Sequence, residues 1–532
     1  MEKIHPAIFV YILIVAVYSA IFLVSPLLGP TDDFVFLKTL QINKSLFYYS
    51  PDFPYYDSMA TGRFTPLSDL EYNAVALFSN HPRAYFFFHA VQFILFAVFL
   101  WIVVRWSGLS RWRTLCTSIF LFLLPAFTIS WFRLQLTDRN VIFYALLFIF
   151  FYSLFLNRQT IPLLLATLVA ANATIYYKET AFILIGGVSI ARIFLFWKGG
   201  TAREKALDTL LLASSITYLV FYKFLVLPYA DLGLITHQSF NLLVFAKNLI
   251  NYATFSDPFL FFAILPLGLH RIYRIALKHD SPHPLYDALL FAALCFMIAY
   301  LALGFYGPQY LLGAYAFAIP SAAFFISRMQ AKKIIAPVIL VLLIFAVNVI
   351  PAGAHYLTYN KYLPLNFNNM LDTLIPLIKE SKNKPVSIFI DSVLDANTGG
   401  LGTYSIMAQF LEFRGLTNKD FDLRSATPRS TRFSSLKFDL HYSVFSPGLE
   451  KCQTGDILLL VPQAHVEYTQ AVLDDLLKRY RLVWRSTSPY FVPLVTAKTL
   501  VKNVLANSPL SSLLVQDKNS FQYVDYYILQ KK

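Results

Sequence analysis

The sequence predicts a polytopic α-helical membrane protein of about eleven spans, followed by an extracytoplasmic α/β domain. Three observations carry that reading. Of 532 residues, 57% are apolar and 14% charged, whereas soluble domains carry about 25% charged residues. The mean hydropathy is +0.56. Apolar stretches able to cross about 30 Å of hydrocarbon recur along the first two thirds of the chain. Beyond residue 351 the composition changes and short strand-like and helix-like segments alternate. The 51 Phe and 33 Tyr exclude a disordered chain, 19 Gly exclude a collagen-like one, and 3 Cys exclude a disulfide scaffold.

The expected spans are Ala7–Leu28, Tyr85–Val104, Leu115–Phe132, Val141–Leu156, Ile161–Tyr177, Thr180–Trp197, Thr209–Leu227, Phe259–Leu269, Leu285–Leu303, Tyr310–Ile326 and Ile334–Ile350. The first has no small-residue cleavage site, so it reads as a retained span rather than a signal peptide. Phe259–Leu269 is short for a span, and only Lys178 and Glu179 interrupt Ile161–Phe196. Basic residues fall in alternate loops: Arg105, Arg111 and Arg113; Arg158; Lys198, Arg203 and Lys205; Arg271, Arg274 and Lys278; Arg328, Lys332 and Lys333. By the positive-inside rule these loops are cytoplasmic. The same placement explains the net charge of +14 without nucleic acid as a partner. The N-terminus then lies inside. The first outer loop (30–84), Arg133–Arg139, Lys178–Glu179, Tyr229–Asp257, Phe305–Pro308 and the tail (352–532) lie outside. Residues 1–351 form the membrane module. In the tail, Asn366–Ser381 and Tyr404–Phe413 read as helices, and Val386–Asp391, Asp456–Val461 and Tyr526–Leu529 as strands.

Polar groups concentrate in the first outer loop, which is long for a connection between spans. Phe34, Leu37 and Leu40 share one helical face, as in an interfacial helix. Asp32 and Asp33 follow the first span directly. Locally they read as first-turn acids after a Thr31 N-cap. A general base at the membrane surface is compatible with that, although adjacent residues cannot both point into one site. Asp138 likewise reads as a helix cap or as a second acid facing the first loop. Lys178 and Glu179 read as a span end or as ionisable groups facing an interior path. His81, His89 and His237 show no close zinc-ligand spacing. Gly399-Gly-Leu-Gly402 reads as a turn, since neither a dinucleotide fingerprint nor a phosphate loop is present.

The acidic pair after the first span resembles the start of the GT-C glycosyltransferases, the polyprenyl-phosphate-sugar-dependent family that includes protein O-mannosyltransferases. Gly62-Arg-Phe-Thr-Pro-Leu-Ser68, Asn80-His-Pro-Arg-Ala-Tyr-Phe-Phe-Phe-His-Ala-Val-Gln-Phe93 and Tyr177-Lys-Glu-Thr-Ala181 resemble further segments of that family. The chain departs from it at Phe87 or Phe88, where His is common, and at Ala90 or Gln92, where Asn and His are expected. The resemblance covers about the first 200 residues.

It implies an inverting transfer of a sugar from a polyprenyl-phosphate donor to a protein, lipid or glycan acceptor. Asp33, or else Asp32, would be the base. The donor phosphate would meet cations, from Arg63, Arg139, Lys178 and Arg133, with Glu179, Asp138 and His81 near the substrate. Asp33 with Asp138 would suit Mg²⁺ or Mn²⁺ if a metal takes part. The expected location is a bacterial inner membrane. A lipid-linked sugar flippase or transporter would show internal repeats and deep charges. A non-catalytic scaffold would leave the first-loop acids only a capping role.

Overall fold

The computed structural model describes residues 5–30, 64–68, 70–134, 136–229, 241–328, 339, 341–380, 385–391, 401–426, 429–434, 441–446, 448–462, 470–496 and 524–532. The helices are α1 Pro6–Leu23, α2 Leu70–Ala76, α3 Pro82–Trp106, α4 Arg111–Phe122, α5 Pro125–Phe132, α6 Asp138–Arg158, α7 Ile161–Tyr177, α8 Phe182–Phe196, α9 Ala202–Phe221, α10 Leu242–Asn251, α11 Leu265–Lys278, α12 Tyr286–Ala302, α13 Leu312–Ile326, α14 Ile350–Glu380, α15 Leu401–Phe413 and α16 Gln470–Arg479. Among the described residues, six helical runs are long and apolar enough to cross a membrane, α4 and α5 form one pair bent by 65°, and four more apolar helices have 15–17 residues. The bundle turns its surplus of apolar side chains outward. On α1 alone, Phe9, Ile12, Leu13, Val17 and Leu23 are exposed, a surface suited to lipid and not to water.

Several expected boundaries move. The segment expected as the outer loop Tyr229–Asp257 contains α10, which continues as a π-helical turn to Ser256. The short span at Phe259–Leu269 extends to Lys278. The span expected at Leu115–Phe132 breaks at Leu123–Leu124, where Pro125 starts a new helix and cannot continue the old one. The last span and the tail helix are one run, Val341–Glu380. Pro364 and Pro376 lie inside it.

Small residues let helices approach closely. At Gly187 on α8, an added Cβ would lie 2.9 Å from Ala292 Cα on α12. At Gly353 on α14 it would strike the Leu123 carbonyl oxygen at the α4–α5 bend. Gly353→Ala is therefore expected to force the two backbones apart. A loss of about 1–3 kcal/mol, read as a lowered unfolding midpoint in detergent, is the expected result.

The tail sheet has the order β2-β1-β5-β7-β6, from Val386–Asp391 (β1), Phe421–Ser425 (β2), Ile457–Leu460 (β5), Tyr480–Arg485 (β6) and Tyr527–Lys531 (β7). β1 runs parallel to β2 and β5; β7 is antiparallel to β5 and β6. Ile457–Leu460 is buried throughout, as a central strand covered on both faces must be. Arg429–Ser434 (β3) and His441–Ser446 (β4) form a separate hairpin.

The sheet shares one apolar core with the bundle. Ile388, Ile457 and Ile528 belong to the same cluster as Leu363 and Phe367 of α14, Leu28, Tyr72, Tyr85, Phe86 and Leu134. The segment after β6 then runs along α14. Asn366 Nδ2 donates to Ser488 Oγ (2.7 Å), Thr358 Oγ1 accepts from Val492 N (3.1 Å), and His355 Nδ1 donates to Val492 O (2.7 Å). Leu494 ends buried among Ile129, Phe255, Ala352 and Tyr356.

Candidate active site

The site is organised by the pairing of α6 with α7. They form an antiparallel hairpin closed by Gln159 in the left-handed conformation (φ 47°). The start of α6 therefore meets the end of α7 at the end of the bundle that carries the tail. Three consecutive polar residues, Asp138, Arg139 and Asn140, open α6 and are all buried. Successive helical residues diverge by about 100°, so each has a different set of partners.

Asp138 is the first residue of α6, and Thr137 stands at the N-cap without a side-chain cap bond. The Asp138 carboxylate accepts from Lys178 Nζ, just past the end of α7. The Lys178 ammonium also lies 4.6 Å from the Tyr310 ring centroid and 6.0 Å from that of Tyr300. Thr180 and Tyr300 share a hydroxyl hydrogen bond of 2.7 Å. Glu179, half-buried, has no hydrogen bond or ion pair among the described residues.

Arg139 is fully buried. Its Nη2 donates to Glu71 Oε1 at 3.0 Å, and its Nη1 donates to His89 Nε2 and to Leu134 O. Glu71 comes from α2, the helical end of the first long loop. Its Oε1 also accepts from Asn140, and its Oε2 accepts from the Tyr177 hydroxyl at 3.0 Å. Gln92 Nε2 donates to Asn140 Oδ1 at 2.9 Å. His89 Nδ1 faces Trp131 O at 3.1 Å. A carbonyl only accepts, so Nδ1 carries the proton and Nε2 accepts from Arg139. Both ring nitrogens are engaged, which leaves His89 no lone pair for a metal.

Arg139 thus spends its terminal nitrogens on the protein, while its buried Nε has no hydrogen-bond partner among the described residues. Arg133, at the end of α5, differs. Its Nε donates to Asn360 Oδ1 at 3.0 Å, and its terminal nitrogens have no partner among the described residues. His81 stands apart from the network. It is exposed at the N-cap of α3, where Nδ1 accepts from Arg83 N at 3.2 Å.

Asp32, Asp33, Arg63 and His237 lie outside the described residues. The chain on either side of 31–63 is anchored beside the network. Leu28 packs with Tyr72 and Leu134. Phe64 O accepts from the Tyr218 hydroxyl at 2.7 Å, and Leu67 N donates to Tyr176 O at 3.4 Å. Among the described residues no group of three or more His, Cys, Asp and Glu could hold a metal ion. The Asp138 carboxylate, expected to share a metal with Asp33, already holds an ammonium.

Solved structures that resemble this chain include two forms of one protein. The apo form of ArnT from Cupriavidus metallidurans is 12% identical at a TM-score of 0.42, over 87% of this chain and 95% of that one. The same protein bound to undecaprenyl phosphate is 12% identical at a TM-score of 0.41, over 90% of this chain and 96% of that one. No family model and no curated protein matches the chain.

The sequence alone does not join Glu71, Tyr72 (whose hydroxyl lies 2.6 Å from His89 Nε2), His89, Gln92, Asn140 and Tyr177. The usable signal was Asp138-Arg139-Asn140 opening an otherwise apolar helix. Such a triplet demands buried partners on three sides.

Proposed function

We propose that the protein is an integral-membrane inverting glycosyltransferase that moves a sugar from a polyprenyl-phosphate donor to an acceptor hydroxyl on the non-cytoplasmic side. One observation carries the reading: the stretch holding Asp32, Asp33 and Arg63 leaves and rejoins the described chain beside the α6–α7 network. Asp33 is five residues beyond Leu28, a reach of at most about 18 Å. The Lys178-Glu179 pair, matched independently by its own sequence segment, lies at that same end of the bundle.

In this reading Asp33 removes the proton of the acceptor hydroxyl while that oxygen attacks the anomeric carbon. The bond from that carbon to the phosphate oxygen breaks, and the lipid phosphate leaves with the negative charge. Arg63 and the terminal nitrogens of Arg133 would receive it. Lys178 is held by Asp138 and contributes its field, while Glu179 remains open for sugar hydroxyls. Glu71, Arg139 and Asn140 act as positioning residues that fix α2 to α6 and α7.

The test offers labelled polyprenyl-phosphate sugars to membranes containing the protein and identifies the labelled product. Asp33→Asn or Asp32→Asn is expected to fold normally, with one of the two losing at least about 100-fold in transfer. Full transfer by both variants would remove the base assignment. Absence of transfer from every lipid-phosphate sugar would remove the function.

A further inference from the structure

Asp257 lies between α10 with its π turn (Tyr252–Ser256) and the helix that continues through a second π turn (Leu260–Ile264) into α11. A third π turn, Phe345–Val349, packs against the first. Asp257 and Ser256 are both 0% exposed. Neither carboxylate oxygen of Asp257 has a hydrogen-bond partner. The Ser256 and Tyr315 hydroxyls are buried and face this carboxylate as its nearest polar neighbours, without a hydrogen bond of normal length to it. Among the described residues no Lys, Arg or His forms an ion pair with this carboxylate. A fully buried carboxylate with only two hydroxyls as polar neighbours, neither at normal hydrogen-bond length, is under-satisfied and calls for a ligand.

The backbone adds to the same demand. Asp257 N donates back to Tyr252 O at 2.8 Å, a register that skips the Ala253 carbonyl. The next residue is Pro258, which has no N–H. The carbonyls ending α10 therefore face a shortage of donors. Asn348 from the third π turn meets part of it, with Nδ2 donating to Thr254 O at 2.7 Å. Interrupted helices in membranes present carbonyl ends of this kind to cations.

We propose that the Ser256–Asp257 break is a binding site for a monovalent cation of the Na⁺ class. One carboxylate supplies one negative charge, so a monovalent ion leaves the buried cluster neutral. The remaining donors, the Ser256 and Tyr315 hydroxyls and the carbonyls at the end of α10, are hard, uncharged oxygens that suit such an ion. A buried carboxylate is costly when alone and stable when compensated. The site is independent of the glycosyl-transfer reading.

The experiment measures thermal unfolding of the full chain in detergent, in NaCl and in choline chloride at equal ionic strength. The expected result is a midpoint that rises with Na⁺ and saturates, as for any ligand that binds the folded state. Asp257→Asn, which removes the charge and keeps the shape, is expected to abolish the rise. If that variant does not fold, Ser256→Ala and Tyr315→Phe decide, each expected to raise the half-saturating Na⁺ concentration about tenfold. Equal midpoints in the two salts for the unaltered protein would overturn the proposal. So would a Na⁺-dependent rise that persists in Asp257→Asn, unchanged half-saturation in both hydroxyl variants, or stabilisation by divalent ions alone.

Discussion

Lys178→Ala is expected to destabilise the protein by about 3–5 kcal/mol. Asp138 is only 4% exposed, and Lys178 is its ion-pair partner. Removing the ammonium leaves a carboxylate in an apolar bundle with no compensating charge, which costs more than the pair ever contributed. Lys178→Met keeps the stem against Tyr300 and Tyr310 and is expected to lose nearly as much, because the charge and not the volume decides. Lys178→Met combined with Asp138→Asn removes both charges and is expected to recover most of the loss. Equilibrium unfolding in detergent compares the three. A Lys178→Ala protein as stable as the original would mean that the two side chains do not pair.

Arg139→Ala is expected to cost a similar amount, about 3–5 kcal/mol, through a different set of contacts. It strips Glu71 of its cation, deprives His89 Nε2 and Leu134 O of a donor, and opens a cavity at a fully buried site. Arg139→Lys is expected to rescue little, since a single ammonium cannot span three acceptors that a planar fork reaches together. Glu71→Gln in the Arg139→Met background is expected to cost less than the sum of the two single changes, because the partners share one interaction. The measurement also separates two roles. A residue that binds donor phosphate would leave folding intact and raise the KM for the lipid. A residue that ties α2 to the bundle shifts the unfolding midpoint.

The apolar helices were legible because a bilayer imposes a single strong rule on each crossing segment, enough apolar length and internally satisfied backbone. Against about eleven expected spans, six described runs, or seven with the bent pair, are long enough to cross. Ile161–Tyr177 has the same bounds in sequence and structure. α10 was not legible. Asn248, Asn251 and Ser256 point inward, so its polar residues imitate a loop. The tail's β1 and β5 stood out as continuous buried runs. β6 did not, because its burial alternates poorly along Tyr480–Arg485. The site was half legible. Asp138, Arg139 and Lys178 are named in the sequence from their place at outer span ends, but a sequence cannot say which cation a carboxylate takes. Arg139, expected to face a phosphate, is enclosed by Glu71 and His89 from elements 68 and 50 residues away. That pairing depends on how α2 and α3 lie across the bundle, which no local pattern encodes.

β7 lies between β5 and β6, and its register reaches Lys531. During synthesis the sheet therefore stays in two pieces until residue 531 has left the ribosome. Ile457–Leu460 has an open edge through that interval. The sheet on top of the bundle must assemble after translation of β7, so a nascent chain stalled before it exposes a template for strand pairing at the membrane surface.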